Sequence, residues 1–94
     1  MMYRLVYTAR ATKQIKKLDK LVKEEMKKRL ELIGCNPYIG QKKKGKLYTV
    51  WGYGFNWRGT AYRIAYQIYD DELVILVVGA GSHEGFWEEV SKYI

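Results

Sequence analysis

The 94 residues include one cysteine, one histidine and one proline. Cys35 alone cannot close an internal disulfide, so a disulfide scaffold is excluded and a reduced, cytoplasmic setting is expected. Nothing around Cys35 suggests catalysis, and it reads as a plain buried thiol. The chain has no His-x-x-x-His or Cys-x-x-Cys pair, the spacings that zinc sites use. No glycine motif that cradles phosphate precedes a helix, and these absences together remove most cofactor enzymes. Any serine triad would have to draw on His83. Long apolar runs are also missing. The longest, Leu73 to Ala80, is strand-sized, against the roughly 18 residues of a membrane span. The opening Met1-Met2-Tyr3-Arg4 lacks the apolar stretch of a secretory leader. The expectation is therefore no metal, no cofactor and no membrane.

Acid is scarce in one place. Seventeen Lys and Arg stand against ten Asp and Glu, a formal charge of +7. Between Asn36 and Tyr69 there is no acid, while the same stretch holds Lys42, Lys43, Lys44, Lys46, Arg58 and Arg63. A surface kept only for solubility more often mixes its signs. An unbroken basic belt suits a polyanion such as nucleic acid, or an acidic protein.

What is present is enough for one core. Hydrophobic residues make up 48% and aromatics 15%, which excludes disorder and supports a single domain over 1–94. Tyr3 to Tyr7 alternates as a first strand, and Thr8 is a suitable N-cap. Over Ala9 to Ile33, the apolar residues Ile15, Leu18, Val22, Met26, Leu30 and Ile33 fall at spacings of three and four, one helical stripe. Asp19 can cap a second helix, so a bend is expected near Leu18 to Lys20. The lysines of this region (Lys13, Lys16, Lys17, Lys20, Lys23, Lys27 and Lys28) read as its solvated face. Gly34 and Pro37 stop the helix.

Further strands are expected over Lys46 to Trp57, Ala61 to Tyr69 and Glu72 to Ala80, and a short helix over Glu84 to Tyr93. Tyr38 to Gly45 reads as a loop. Gly52 and Gly54 suggest a bulge or bend in the second strand. In the third, Tyr62, Ile64, Tyr66 and Ile68 share one face, and Ala61, Arg63, Ala65 and Gln67 the other. The fourth shows no alternation, as in a strand covered on both faces. The resulting order is β-α-α-β-β-β-α. It is an α+β fold with a helical hairpin on one face of a mostly antiparallel four-stranded sheet, the other face left open.

On that open face Arg63 lies between two alanines, a guanidinium in a hollow. RNA carries its own nucleophile, the 2′-OH. A protein that cuts it must align that hydroxyl, balance charge on the phosphate and move protons. Arg63 can hold the phosphate through paired N–H bonds. His83 can exchange protons near neutral pH. Trp87 can stack on a base, with further stacking available from Tyr53, Phe55 and Trp57. Each has a plainer reading beside it: Arg63 paired with Glu84 or Glu88, His83 a polar surface residue, and Trp87 closing a core.

Three stretches then carry a family resemblance. They are Ala11-Thr12-Lys13-Gln14-Ile15-Lys16-Lys17-Leu18-Asp19-Lys20, the Asn36-Pro37 stop, and Ala61-Tyr62-Arg63-Ile64-Ala65-Tyr66-Gln67-Ile68. They resemble the RelE/ParE toxin superfamily over nearly the whole chain. The ending Gly81-Ser82-His83-Glu84-Gly85-Phe86-Trp87 is similar to the Gly-x-His-x-x-x-aromatic close of the YafQ-like branch. The resemblance implies a microbial RNase fold, mRNA cleavage usually on the translating ribosome, and neutralisation by a co-encoded antitoxin. It casts Arg63 as the phosphate contact, His83 as the proton carrier and Trp87 as the closing aromatic. The acid-free belt, read from its charge, offers Lys42, Lys43, Lys44, Lys46 and Arg58 as the RNA-binding residues.

The match has departures. RelE carries catalytic lysines on its second strand after a tyrosine, whereas Tyr48 here is followed by Thr49, Val50 and Trp51. Lys44, Lys46 or Arg58 are the candidates to supply that charge. YafQ-like enzymes have more histidines. Two other readings remain: a ParE-like poison of DNA gyrase, and a nucleic-acid-binding domain of this fold with little or no catalysis.

Overall fold

The computed structural model describes residues 2–94. Strand β1 (Arg4–Tyr7) leads into helices α1 (Ala9–Lys16) and α2 (Lys20–Cys35). Then come a two-residue strand β2 (Gln41–Lys42), strands β3 (Trp51–Trp57), β4 (Thr60–Tyr69) and β5 (Val74–Gly81), and helix α3 (Phe86–Ser91). The sheet has five strands in the order β1-β5-β4-β3-β2. β1 runs parallel to β5, and the other pairings are antiparallel. The expected four strands thus become five, because part of the 38–45 loop pairs with the start of β3. Among the described residues, no helix is long and apolar enough to cross a membrane.

The helical hairpin forms where the sequence places it. The Thr8 hydroxyl accepts from the Ala11 amide at 3.1 Å, satisfying a free donor of α1. Asp19 occupies the N-cap position of α2, although its side chain makes no capping bond. Ala11, Met26, Leu30 and Ile33 sink into one core with Phe55, Ile64, Tyr66, Ile75, Val77 and Ala80 of the sheet. The helical lysines all stay exposed. Cys35 is exposed too, contrary to expectation. It is the last residue of α2, one past the stripe that ends on Ile33 and Gly34.

The strand boundaries shift for local reasons. The second long strand begins at Trp51 and not at Lys46, because Gly45 adopts φ +64° and Gly45–Leu47 coils into a 3₁₀ turn. Gly52 and Gly54 cause no bulge. β3 pairs with β4 in unbroken register from Trp51↔Tyr66 to Trp57↔Thr60. The irregularity lies between β4 and β5, at Ala65/Tyr66. The closing helix is shorter than expected, since Gly85 at φ +74° directs the chain into it only at Phe86.

The face opposite the hairpin is only half open. Val50, Ala65, Val78, Phe86 and Val90 form a second core there, with Leu47, Leu76 and Trp87 packed around it. α3 therefore covers the Ala65 end of that face, and the Arg63 end stays uncovered.

Candidate active site

Arg63 stands at mid-strand on β4, and the sheet positions next to it carry little or no side chain of their own. Its register partners are Gly54 on β3 and Gly81 on β5. Its same-face neighbours along β4 are Ala61 and Ala65. The two-alanine hollow read from the sequence is thus ringed on all four sides by glycine or alanine. Its Nη1 donates to the carbonyl oxygens of Ser82 at 3.2 Å and His83 at 3.1 Å. Those bonds fix the guanidinium and leave its Nε and Nη2 donors for an anion. Arg63 pairs with these carbonyls, not with Glu84 or Glu88.

A cleft of about 410 Å³ opens beside it, lined by Arg63, Gly52, Gly54, Gly40, Lys43 and Trp87 among others. Trp87 enters it from the first turn of α3. The indole is half-buried, with its ring edge-on to Phe86 at a centroid distance of 4.9 Å. It therefore closes the second core and lines the cleft at once. Lys43 Nζ lies 3.9 Å from the centroid of the Trp87 ring.

His83 flanks this cleft and is absent from its lining. Its ring lies over Gly81: a Cβ there would stand 3.4 Å from Nδ1. That places the imidazole on the face of the sheet that Arg63 occupies. Nε2 is 3.7 Å from Glu89 Oε2. The same carboxylate takes a bond from Gln14 Nε2 at 3.3 Å and faces Arg10 at 3.8 Å. Glu89 has no mark in the sequence, because residues 83–85 are not helical and no spacing rule links 83 to 89.

The basic belt does not form one surface. Lys42 lines a separate shallow cleft with Tyr48, Thr49, Gln67 and Tyr69. Lys44 and Lys46 are exposed around the 3₁₀ turn. Arg58, at φ +50°, sits in the β3–β4 turn with its guanidinium 5.4 Å from the Trp57 ring. It is at the opposite end of β3 from β2, so it is not brought to the cleft. Phe55 and Trp57 belong to the helix-side core and do not line the cleft. Tyr53 packs against that core, with its hydroxyl accepting from Arg29 Nη1 at 3.0 Å, and is also among the residues lining the cleft. Of the candidates to replace second-strand lysines, none of Lys44, Lys46 and Arg58 reaches the cleft lining. Lys43 does.

The cleft wall hangs on a buried phenol. Tyr66 is fully buried, and its hydroxyl donates to the Pro37 carbonyl at 2.6 Å. Burial pushes that hydroxyl up to about 12. Gly40 lies directly against Tyr66 Oη, and a Cβ there would come within 2.6 Å of the Gly52 carbonyl. The 37–43 segment can pack this closely only because residue 40 lacks a side chain.

The helical hairpin on one face of a mixed sheet is a fold this chain shares with solved RelE toxins. A free, doubly substituted RelE toxin of E. coli superposes over 100% of this chain and 99% of its own, with a TM-score of 0.79 and 30% identity. The toxin in the intact E. coli RelBE toxin–antitoxin complex gives 0.71 and 32%, over 87% of this chain and 98% of its own. The mRNA interferase toxin RelE of E. coli K12 is 32% identical over 84 residues, 89% of this chain and 86% of the relative. The family model of the ParE-like toxins of type II bacterial toxin–antitoxin systems matches residues 5–91. The chain belongs to that family, within the RelE/ParE superfamily.

Proposed function

We propose that this toxin is an endoribonuclease that cuts mRNA on the translating ribosome, without a metal, by attack of the substrate's own 2′-OH. The observation that carries this reading is the cleft itself. An arginine with free donors sits at its floor and a second cation and an indole sit at its wall. An imidazole stands beside it, in a chain two of whose curated relatives are named mRNA interferases.

In this reading Arg63 binds the scissile phosphate and balances the charge that grows on its oxygens. The 2′-oxygen bonds to phosphorus as the bond to the 5′-oxygen breaks. One proton leaves the 2′-OH and one is delivered to the departing 5′-oxygen. The products are a 2′,3′-cyclic phosphate and a 5′-OH. His83 serves one of these transfers, with Glu89 orienting its ring. Side chains supply the charge, so no metal is needed.

Relatives have been solved bound to antitoxin, as in the E. coli RelBE complex. A co-encoded acidic antitoxin is the natural partner here, because an acidic segment over Arg63 and Lys43 would block RNA and satisfy the charge. The test is expression from a tight promoter followed by mapping of RNA ends. Cuts inside translated codons support the reading. DNA breaks with intact transcripts would instead identify a gyrase poison.

A further inference from the structure

The strand beside Arg63 has no cation of its own: β3 carries neither lysine nor arginine from Trp51 to Trp57. The two β3 glycines that line the cleft with Arg63, Gly52 and Gly54, have no side chains. The space above Gly52 is nevertheless filled. A Cβ at residue 52 would stand 2.7 Å from Cη2 and 2.8 Å from Cζ2 of Trp87, and 2.9 Å from Cε of Lys43. The missing side chain at 52 thus admits two others, one from α3 and one from the segment after β2.

Lys43 differs from the other lysines of its cluster. Lys42, Lys44 and Lys46 are exposed, whereas Lys43 is half-buried. Its backbone is fixed, since its amide donates to the Val50 carbonyl at 2.9 Å. Its ammonium is fixed too, 3.9 Å from the Trp87 ring centroid. A lysine is a point charge on a flexible stem, and an indole face is the best aromatic seat for it. Among the cluster, Lys43 alone lines the cleft that Arg63 lines.

We infer that Lys43 is the second phosphate-binding cation of this cleft and that Trp87 is its positioning residue. The inference rests on the ribonuclease reading. Lys43 and Arg63 flank the scissile phosphate from neighbouring walls and share the negative charge that develops during attack. The indole face under Lys43 is occupied, so a base stacks there only if the cation leaves. Holding Lys43 is therefore the ring's main task.

The test is single-turnover cleavage of RNA at saturating concentration, with affinity measured separately on the 2′-deoxy substrate. Lys43→Met keeps the stem and removes the charge, and Lys43→Gln is a second such variant. Both should lower the saturating rate about 10²-fold or more, and Lys43→Arg should recover most of it. Lys28→Met, a charge loss on the exposed face of α2, is the control and should match the wild type. Trp87→Ala should cost much less in the Lys43→Met background than alone, because the cation it holds is already gone. Trp87→Phe should retain most activity. The inference is overturned if Lys43→Met stays within about threefold of Lys28→Met at saturation. It is also overturned if the Trp87→Ala and Lys43→Met losses simply multiply. A wild type that cuts no RNA removes the ribonuclease reading, and this inference with it. An active wild type with an indifferent Lys43 removes this inference alone.

Discussion

The guanidinium of Arg63 is tied by its Nη1 to the backbone carbonyl of His83 at 3.1 Å. One proposed active-site side chain thus holds the peptide of the other. The bond joins β4 to the loop between β5 and α3, so it sets where the imidazole leaves the sheet. Arg63 therefore has two roles, one toward an anion and one toward His83.

Substitution of either residue should separate those roles. Arg63→Ala should lower cleavage by about 10²–10⁴-fold and also loosen the 82–85 loop. His83→Ala should lower cleavage by a similar factor and leave the loop's backbone in place. Cleavage rates, with backbone amide exchange of residues 82–85 as the second readout, check this. A His83→Ala variant as fast as wild type would remove the imidazole from the mechanism.

The chemistry makes its own prediction. Cleavage should persist in EDTA wherever the ribosome stays intact, and should end when the nucleotide 5′ of the cut is 2′-deoxy. The expected product end is a 2′,3′-cyclic phosphate, readable by mass spectrometry. Cutting of the 2′-deoxy substrate would exclude the 2′-OH as nucleophile.

Tyr66 gives a stability prediction. Tyr66→Phe removes the donor to the Pro37 carbonyl and should cost about 1–3 kcal/mol, since a buried acceptor loses its partner. The 37–43 segment should loosen and Lys43 with it, so activity should fall alongside stability. The Tyr66 hydroxyl is raised from 10.0 to about 12 in the fold. The neutral phenol is the form the fold favours. Its contribution is therefore full below pH 10 and is lost as pH rises through about 12. Denaturant titrations of both proteins across that window test the sign: wild type should lose its advantage over Tyr66→Phe as the pH rises.

Much of this fold was legible because periodicity and burial agree. The 3–4 spacing from Ile15 to Ile33 marks the helical stripe, and alternation in β4 places Arg63 opposite Tyr62 and Ile64. The chemistry-bearing positions Arg63 and Trp87 came from the same alternation and from a motif. What escaped was non-local. A glycine at 52 reads as a bend in sequence. Its effect is seen only once residues 43 and 87 arrive above it from distant segments. Glu89 reaches His83 across an irregular loop. Cys35 is exposed because helix rotation by one residue takes it off the stripe, a displacement that composition cannot register. The acid-free stretch looked like one belt, but strand pairing carries Arg58 to the far end of β3.

A carboxylate at the other end of the sheet offers a pH test. Asp70 accepts hydrogen bonds from the hydroxyls of Tyr3 and Tyr38. Those bonds hold its carboxyl below the usual range. The resulting stability is present above the unfolded-state value and is lost as pH falls through the lower folded one. Tyr3→Phe and Tyr38→Phe should each shift the Asp70 titration upward, measured by carboxyl-carbon NMR. An unmoved titration would mean the bonds are not held in solution.

The basic cluster should act on association. Neutralising Lys42, Lys44 and Lys46 together should weaken RNA or ribosome binding and flatten its salt dependence. The slope should fall by about 0.7 log unit per log unit of salt for each single-strand phosphate that the variant no longer neutralises. The dependence of Kd on salt checks this. An unchanged slope would mean these side chains are only solvated surface.

The most direct measurement of the central claim is to mix purified toxin with programmed ribosomes and to map the 3′ and 5′ ends of the mRNA over time. The account predicts cuts within codons in the wild type, ending in 2′,3′-cyclic phosphate and 5′-OH, and absent with Arg63→Ala. Intact mRNA under conditions where the toxin still arrests growth would contradict it.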